Sequence, residues 1–406
     1  MKKENTVQLI WFIVLALVAL VLRFYLAPTS GSEYDLGAFS YWAATGGHFN
    51  FFRFYFIPSW PRHAFPNLAL YFPILALLGP ASVATTEVGR VLLKTPAILG
   101  DIFLSTVVYF SAKPRWRLAA ASFVLFNPAV WFDSAVFGQI DSLYAVFALL
   151  AVVSAADRKY RLAWAWIVIA VFFKIQALAV LPIIAAVHFK GSGFKKMIIE
   201  MIPAAALAAL IALPYVLASS LSAIWRSLSG SIGMYPSVSI NAWNPWFLLH
   251  MFSRRWVVDT ETVLAVSYRN IGLVAFALAA AAIIYVLPKR PGRAVVLAAA
   301  SAMVFSFFML TTEMHERYLY LFLPIAILVA DESWGVALIV AAVSVIVFLD
   351  MNFVQIWSPL IDRFVRNTNY WVAWSLLLTG LYVEFFAWYM SRARAERRSE
   401  IEVIAE

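Results

Sequence analysis

From Val7 to Leu22 the chain runs through one apolar stretch interrupted by a single polar side chain, Gln8. A helix of this kind has no polar face to offer water, whereas a bilayer core of about 30 Å is crossed by roughly 20 apolar helical residues. Comparable runs recur at 89–111, 118–136, 142–156, 162–173, 176–189, 199–218, 264–287, 294–311, 318–331, 334–349 and 371–391. The fifth and sixth are short and read as a broken pair. Of the 406 residues, 63% are hydrophobic and 13% charged, against about half and a quarter in soluble domains. The sequence therefore predicts an all-α, polytopic membrane protein of about 12 transmembrane helices, within a range of roughly 10–13. Intrinsic disorder is excluded, and the absence of cysteine excludes a disulfide scaffold and thiolate chemistry.

The formal charge of +9 resembles a nucleic-acid signature until the basic residues are placed. Eighteen of the 31 lie in short loops and tails on one side: Lys2/Lys3, Lys113/Arg115/Arg117, Arg158/Lys159/Arg161, Lys190/Lys195/Lys196, Lys289/Arg290/Arg293 and Arg392/Arg394/Arg397/Arg398. Such a bias marks the cytoplasmic side, so the surplus is chiefly an orientation signal and no nucleic-acid partner is expected. Met1-Lys2-Lys3 with the first apolar run has the outline of a signal peptide. No small-residue cleavage site follows, which predicts an uncleaved first helix. Residues 1–406 are expected to form a single integral-membrane domain with both termini cytoplasmic. Its extracytoplasmic bulk is a first loop at 28–88, carrying aromatic interfacial helices such as those around Phe49–Phe56 and Leu70–Leu75, and a second at 219–263; 392–406 is a solvated cytoplasmic tail.

Polar and ionisable residues beside membrane segments are costly and are functional candidates by default. Four groups fall on the outer face. Glu33-Tyr34-Asp35 follows helix one; Asp35 is either an N-cap carboxylate or a base able to take a proton from a hydroxyl. Asn127-Pro128 and Asp133, with Gly138-Gln139-Ile140-Asp141-Ser142, join two helices, where Asn-Pro breaks one and Asp141-Ser142 can cap the next. Capping leaves Gln139 and Asp133 unexplained. Lys174 and Gln176 lie inside an apolar stretch, and two residues apart on a regular helix they diverge by about 200°. They share a cavity only if the helix breaks; a snorkelling Lys174 is the plainer reading. Thr312-Glu313-Met314-His315-Glu316-Arg317 either closes a hairpin by ion pairing or presents His315 and Arg317 as a phosphate clamp. Lys94 and Asp101, seven apart on one helix face, suit an ion network or a ligand site equally. Asn241, Trp243, Asn244 and Trp246 suit sugar stacking or, more commonly, packing.

Together these groups resemble the integral-membrane GT-C glycosyltransferases, and most of all their mannosyltransferase branches, the GPI-type and the mycobacterial polyprenyl-phosphate-mannose-dependent enzymes. The resemblance covers nearly the whole chain. It rests on the E-x-D form Glu33-Tyr34-Asp35, on Asn127-Pro128 with Gly138-Gln139-Ile140-Asp141-Ser142, on Lys174-x-Gln176 before Pro182, and on His315-Glu316-Arg317-Tyr318. It implies inverting transfer of a hexose, mannose favoured, from a polyprenyl- or dolichyl-phosphate sugar to a glycolipid or lipid-linked glycan on the extracytoplasmic face. The membrane would be the plasma membrane in a prokaryote and the endoplasmic reticulum in a eukaryote.

Carried over residue by residue, the resemblance makes Asp35 the general base and Lys174, His315 and Arg317 the donor-phosphate ligands. It places Glu33, Gln139, Asp141, Gln176 and Glu313 around sugar and acceptor. No cofactor is expected: the E-x-D carboxylates could hold a divalent cation with substrate oxygens, but one base and several cations make it unnecessary. Two rivals stand, a transporter or flippase of lipid-linked sugars and a non-catalytic subunit of a glycan-assembly complex.

Overall fold

A computed structural model of the chain describes residues 2–48, 70–81, 83–218, 233–355, 361 and 368–405. The aromatic stretch at 49–56 lies outside these residues. The described residues form sixteen α-helices: α1 (Lys2–Leu26), α2 (Glu33–His48), α3 (Tyr71–Leu78), α4 (Glu87–Ser111), α5 (Arg117–Phe126), α6 (Pro128–Trp131), α7 (Asp141–Ala156), α8 (Tyr160–Phe173), α9 (Leu181–Ser192), α10 (Phe194–Ala218), α11 (Pro245–Ser253), α12 (Tyr268–Val286), α13 (Arg293–Leu310), α14 (Phe322–Ala326), α15 (Trp334–Val354) and α16 (Thr368–Ala405). One two-stranded hairpin pairs Thr262–Val263 antiparallel with Val266–Ser267. The protein is an all-α, multi-pass membrane protein.

Eight of the described helical segments are long and apolar enough to cross a bilayer. The bent pair Arg117–Phe126 and Pro128–Phe137 makes a ninth. Its 44° bend falls where Pro128 removes a backbone donor and Asn127 turns to cap the next segment, its side chain accepting from Ala129 N at 2.9 Å. Asp141–Ala156 and Tyr160–Phe173 are apolar but shorter. The apolar stretch at 318–331 differs most from its predicted span. It folds as the five-residue α14 followed by a 3-10 segment, Ile327–Glu332, and residues 319–330 are all buried. Its hydrophobicity serves protein packing, the alternative that an all-round apolar segment always leaves open.

The chain groups into two compact units. The first comprises Met1–Ala148, Ala165–Ala177 and Met201–Met234; the second comprises Leu149–Trp164, Leu178–Glu200 and Tyr235–Glu406. In the first, α1 packs on α4 and α5, with Phe12 stacked on Tyr109 at 4.6 Å between ring centres. Helix α3 is too short to span and packs on α2 through edge-to-face contacts, Phe39 on Tyr71 and Trp42 on Phe72. In the second, α13 is buried along nearly its whole length, with α9, α12, α14 and α16 around it. At 38 residues, α16 is about 57 Å long, well beyond the bilayer core. Its last turns are largely exposed, and there Glu400 accepts from the backbone N–H groups of Lys289 and Arg290, and Glu396 from that of Gly292.

Candidate functional site

In the first unit, the acidic motif begins seven residues beyond a firmly anchored helix end. Arg23, in the last turn of α1, is fully buried and donates to Asp101 Oδ2 at 2.6 Å and to Leu125 O at 2.9 Å. Ser134 Oγ donates to the same carboxylate oxygen at 2.5 Å. Lys94 Nζ donates to Ala27 O and Thr29 O, and Arg90 Nε to Pro28 O. Three charged residues of α4 thus hold the exit of α1. Lys94 and Asp101 form an ion and hydrogen-bond network that braces this exit, the first of the two readings their spacing allowed.

Beyond that clamp the chain lies against the 136–138 turn. Ser32 N donates to Phe137 O at 2.9 Å. A Cβ at Gly31 would stand 2.6 Å from Phe137 O and 2.9 Å from Val136 O, and one at Gly138 would stand 2.6 Å from Leu36 Cδ2. Gly138 also has φ +89°, a conformation open chiefly to glycine. These glycines let the two backbones touch, with Ser32 and Leu36, on either side of Asp35, against the 136–138 turn. Asp35 itself is not the N-cap of α2. Ser32 takes that place, and Asp35 in the first turn closes a reciprocal pair: Ser32 Oγ donates to Asp35 Oδ2 at 2.7 Å, and Asp35 N donates back at 3.2 Å. Asp35 is half-buried and Glu33 is exposed. The S-x-x-D spacing was the available signal for this box.

The next motif follows from a wide, fully buried π-turn at Phe132–Phe137 that ends at Gly138. Single-turn π segments of this kind tend to mark functional sites. The turn leaves Asp133 O accepting from both Gly138 N and Gln139 N. The Gln139 side chain is buried, and its Nε2 meets no acceptor among the described residues. Asp141 opens α7, and its buried carboxylate receives Lys174 Nζ at 2.6 Å. Lys174 lies between the end of α8 at Phe173 and a 3-10 segment, Ile175–Val180. The helix therefore breaks there, as the Lys174/Gln176 spacing required. Lys174 does not snorkel; its ammonium also sits 5.6 Å from the centre of the Tyr144 ring. Gln176 is partly buried, its Oε1 without a donor among the described residues.

In the second unit, residues 311–321 form an irregular loop, as the spacing of His315 and Arg317 predicts. His315 bridges the backbone of Ile240 and Asn241, and Ile240 N donates to Met314 O. Arg317 pairs with Glu316, which is buried, and His315 Nδ1 lies 3.8 Å from Glu316 Oε2. Burial would raise the Glu316 carboxyl, but Arg317 and His315 outweigh it and hold the carboxyl down at about 2. Its ion pair is therefore fully formed above the ordinary carboxyl range and is lost only as pH falls toward about 2. Tyr235 and Tyr318 pack on the His315 ring. Glu313, at φ +60°, faces Arg269, whose guanidinium also grips Asp259 through two bonds. The 241–246 patch is packing: Trp243 is fully buried, Asn244 caps α11, and Trp246 Nε1 donates to Leu310 O.

Among the described residues no three His, Asp or Glu side chains gather in metal-ligand geometry. In the first unit the structure thus brings the chain before Asp35 against the turn that leads to Gln139 and Asp141, and pairs Asp141 with Lys174. In the second it joins His315 to Arg317 through Glu316.

No protein-family model matches the sequence, and no curated protein matches it at a significant score. Among solved structures, the chain is similar to the crystal structure of ArnT from Cupriavidus metallidurans bound to undecaprenyl phosphate. That likeness has a TM-score of 0.43 and 13% identity, over 96% of this chain and 78% of that one.

Proposed function

We propose that the protein is an inverting membrane glycosyltransferase that uses a polyprenyl- or dolichyl-phosphate sugar as donor. The transferred sugar is a hexose, with mannose favoured, and the acceptor is a glycolipid or lipid-linked glycan on the extracytoplasmic face. One observation carries this reading: a half-buried carboxylate, Asp35, stands between Ser32 and Leu36, which touch the turn leading to Gln139 and to the Asp141–Lys174 pair.

In this scheme Asp35 accepts the acceptor hydroxyl's proton as that oxygen bonds to the anomeric carbon. The carbon–oxygen bond to the lipid phosphate breaks on the opposite face, and its electron pair leaves with the phosphate. Lys174 offsets the charge of that phosphate; the resemblance assigns the same role to His315 and Arg317. Asp141 positions the Lys174 ammonium, and Gln139, whose buried amide nitrogen meets no acceptor among the described residues, donates to a sugar oxygen.

The deciding experiment incubates the purified chain, in detergent or nanodiscs, with polyprenyl-phosphate-mannose or polyprenyl-phosphate-glucose and a glycolipid acceptor. Transfer of sugar supports the proposal. Movement of lipid-linked sugar between leaflets without transfer identifies a flippase, and inactivity in both assays identifies a non-catalytic subunit. Arg317→Gln is expected to raise the donor Kd by about tenfold or more, the worth of one charge-assisted hydrogen bond. Unchanged donor affinity removes Arg317 from the phosphate role. EDTA is expected to leave transfer intact; loss restored by manganese or magnesium would reinstate a metal at Glu33 and Asp35.

A further inference from the structure

Three of the six basic clusters converge in the second unit. The ends of α7 and α9, the starts of α8 and α10, and the α12–α13 loop enclose a cavity of about 350 Å³. Four cations line it, Arg158, Lys196, Lys289 and Arg290, against one carboxylate, Glu200. Among the described residues, Arg158, Lys289 and Arg290 form no side-chain ion pair, and Lys196 approaches Glu200 only to 3.9 Å. Four like charges around one small cavity repel one another, and an anion bound among them would relieve that repulsion.

The cavity floor is rigid. Tyr160 stacks on His188 with 4.1 Å between ring centres. Trp164 Nε1 donates to His188 Nδ1 at 2.9 Å, which leaves the imidazole proton on Nε2, 3.0 Å from Glu200 Oε2. A Cβ at Gly191 would stand 2.6 Å from Tyr160 Oη, so the wall closes on the tyrosine only because no side chain intervenes. The α12–α13 loop already shows its preference for anions. Its backbone N–H groups at Lys289, Arg290 and Gly292 receive the carboxylates of Glu400 and Glu396 at 2.5–2.9 Å. Consecutive backbone donors of this kind form anion-binding concavities.

We propose that this cavity is a binding site for a phosphate group, held by Arg158, Lys196, Lys289 and Arg290 on the face that the charge bias assigns to the cytoplasm. The phosphate belongs either to a lipid headgroup of that leaflet or to a soluble phosphorylated compound. The site does not depend on the transfer reaction and is tested without it.

The full chain is reconstituted in phosphatidylcholine nanodiscs with and without phosphatidic acid, and retained lipid is read by native mass spectrometry. In parallel, inorganic pyrophosphate is titrated onto the protein in phosphatidylcholine alone. Retention of phosphatidic acid places the source in the leaflet, and saturable pyrophosphate binding places it in solution. The Arg158→Gln/Lys289→Gln/Arg290→Gln variant, whose three changes lie on exposed side chains, is expected to weaken whichever binds by at least about tenfold. Glu200→Gln keeps an acceptor toward His188 while removing the one negative charge, and is expected to strengthen binding about two- to five-fold. No binding of either probe, equal binding by the triple variant, or weaker binding by Glu200→Gln overturns the proposal.

Discussion

Asp35→Ala is expected to lower sugar transfer by about 10²–10⁴-fold, the worth of a positioned general base, with donor binding nearly unchanged. The carboxylate's partner in the structure is the Ser32 hydroxyl, and the pair caps a short helix. Losing the cap costs about 1 kcal/mol, too little to unfold a protein of this size. Asp35→Asn keeps the cap's shape and is expected to be as inactive. Glu33→Gln alters an exposed side chain and is expected to retain activity. The measurement is initial transfer rate beside donor binding for each variant. An active Asp35→Ala enzyme would move the base elsewhere and sink the assignment.

The largest effect on stability is expected at the other end of the same construction. Arg23 and Asp101 are both fully buried and pair at 2.6 Å. Removing one partner strands the other charge, which costs about 3–5 kcal/mol. Arg23→Met and Asp101→Leu are each expected to lower the thermal midpoint in detergent sharply. The double substitution replaces the pair by apolar packing and is expected to recover most of the loss. Single variants with an unchanged midpoint would show that the clamp does not hold α1. Because the acidic motif follows directly on the exit of α1, the singles are also expected to lose transfer activity in proportion to the fraction misplaced, whereas the double variant regains it.

The fold was largely legible because lipid leaves the backbone few choices: a span must satisfy its hydrogen bonds within a helix, and the apolar runs declare it. Legibility failed where hydrophobicity served protein packing. Residues 318–331 read as a span but are a short buried helix with a 3-10 turn. The tail's exposed Arg and Glu residues suit water, and its docking was not legible: Glu396 and Glu400 find backbone donors more than a hundred residues away.

The candidate residues were legible one at a time, while their partners were not. Asp141 and Lys174 are 33 residues apart, and Glu313 and Arg269 44 apart, separations that no local pattern reports. Gly31 carried no chemistry and escaped notice, although its lack of a side chain brings Ser32 against Phe137. A cap was one of two readings open to Asp35, because acidic residues favour helix starts; Ser32, three residues earlier, had the stronger claim to it.

The clamp on α1 also fixes a height. A helix sliding by one turn would carry its end about 5.4 Å along the membrane normal, more than the reach of a hydrogen bond. Lys94, Arg90 and Asp101 remove that freedom by gripping backbone and side chain at Arg23, Ala27, Pro28 and Thr29. The level of Asp35 relative to α4 is therefore fixed by these contacts. A substrate tethered by its own lipid tail reaches a level that does vary with the bilayer. Activity should then depend on membrane thickness through the substrate's position alone, with the protein acting as the fixed ruler.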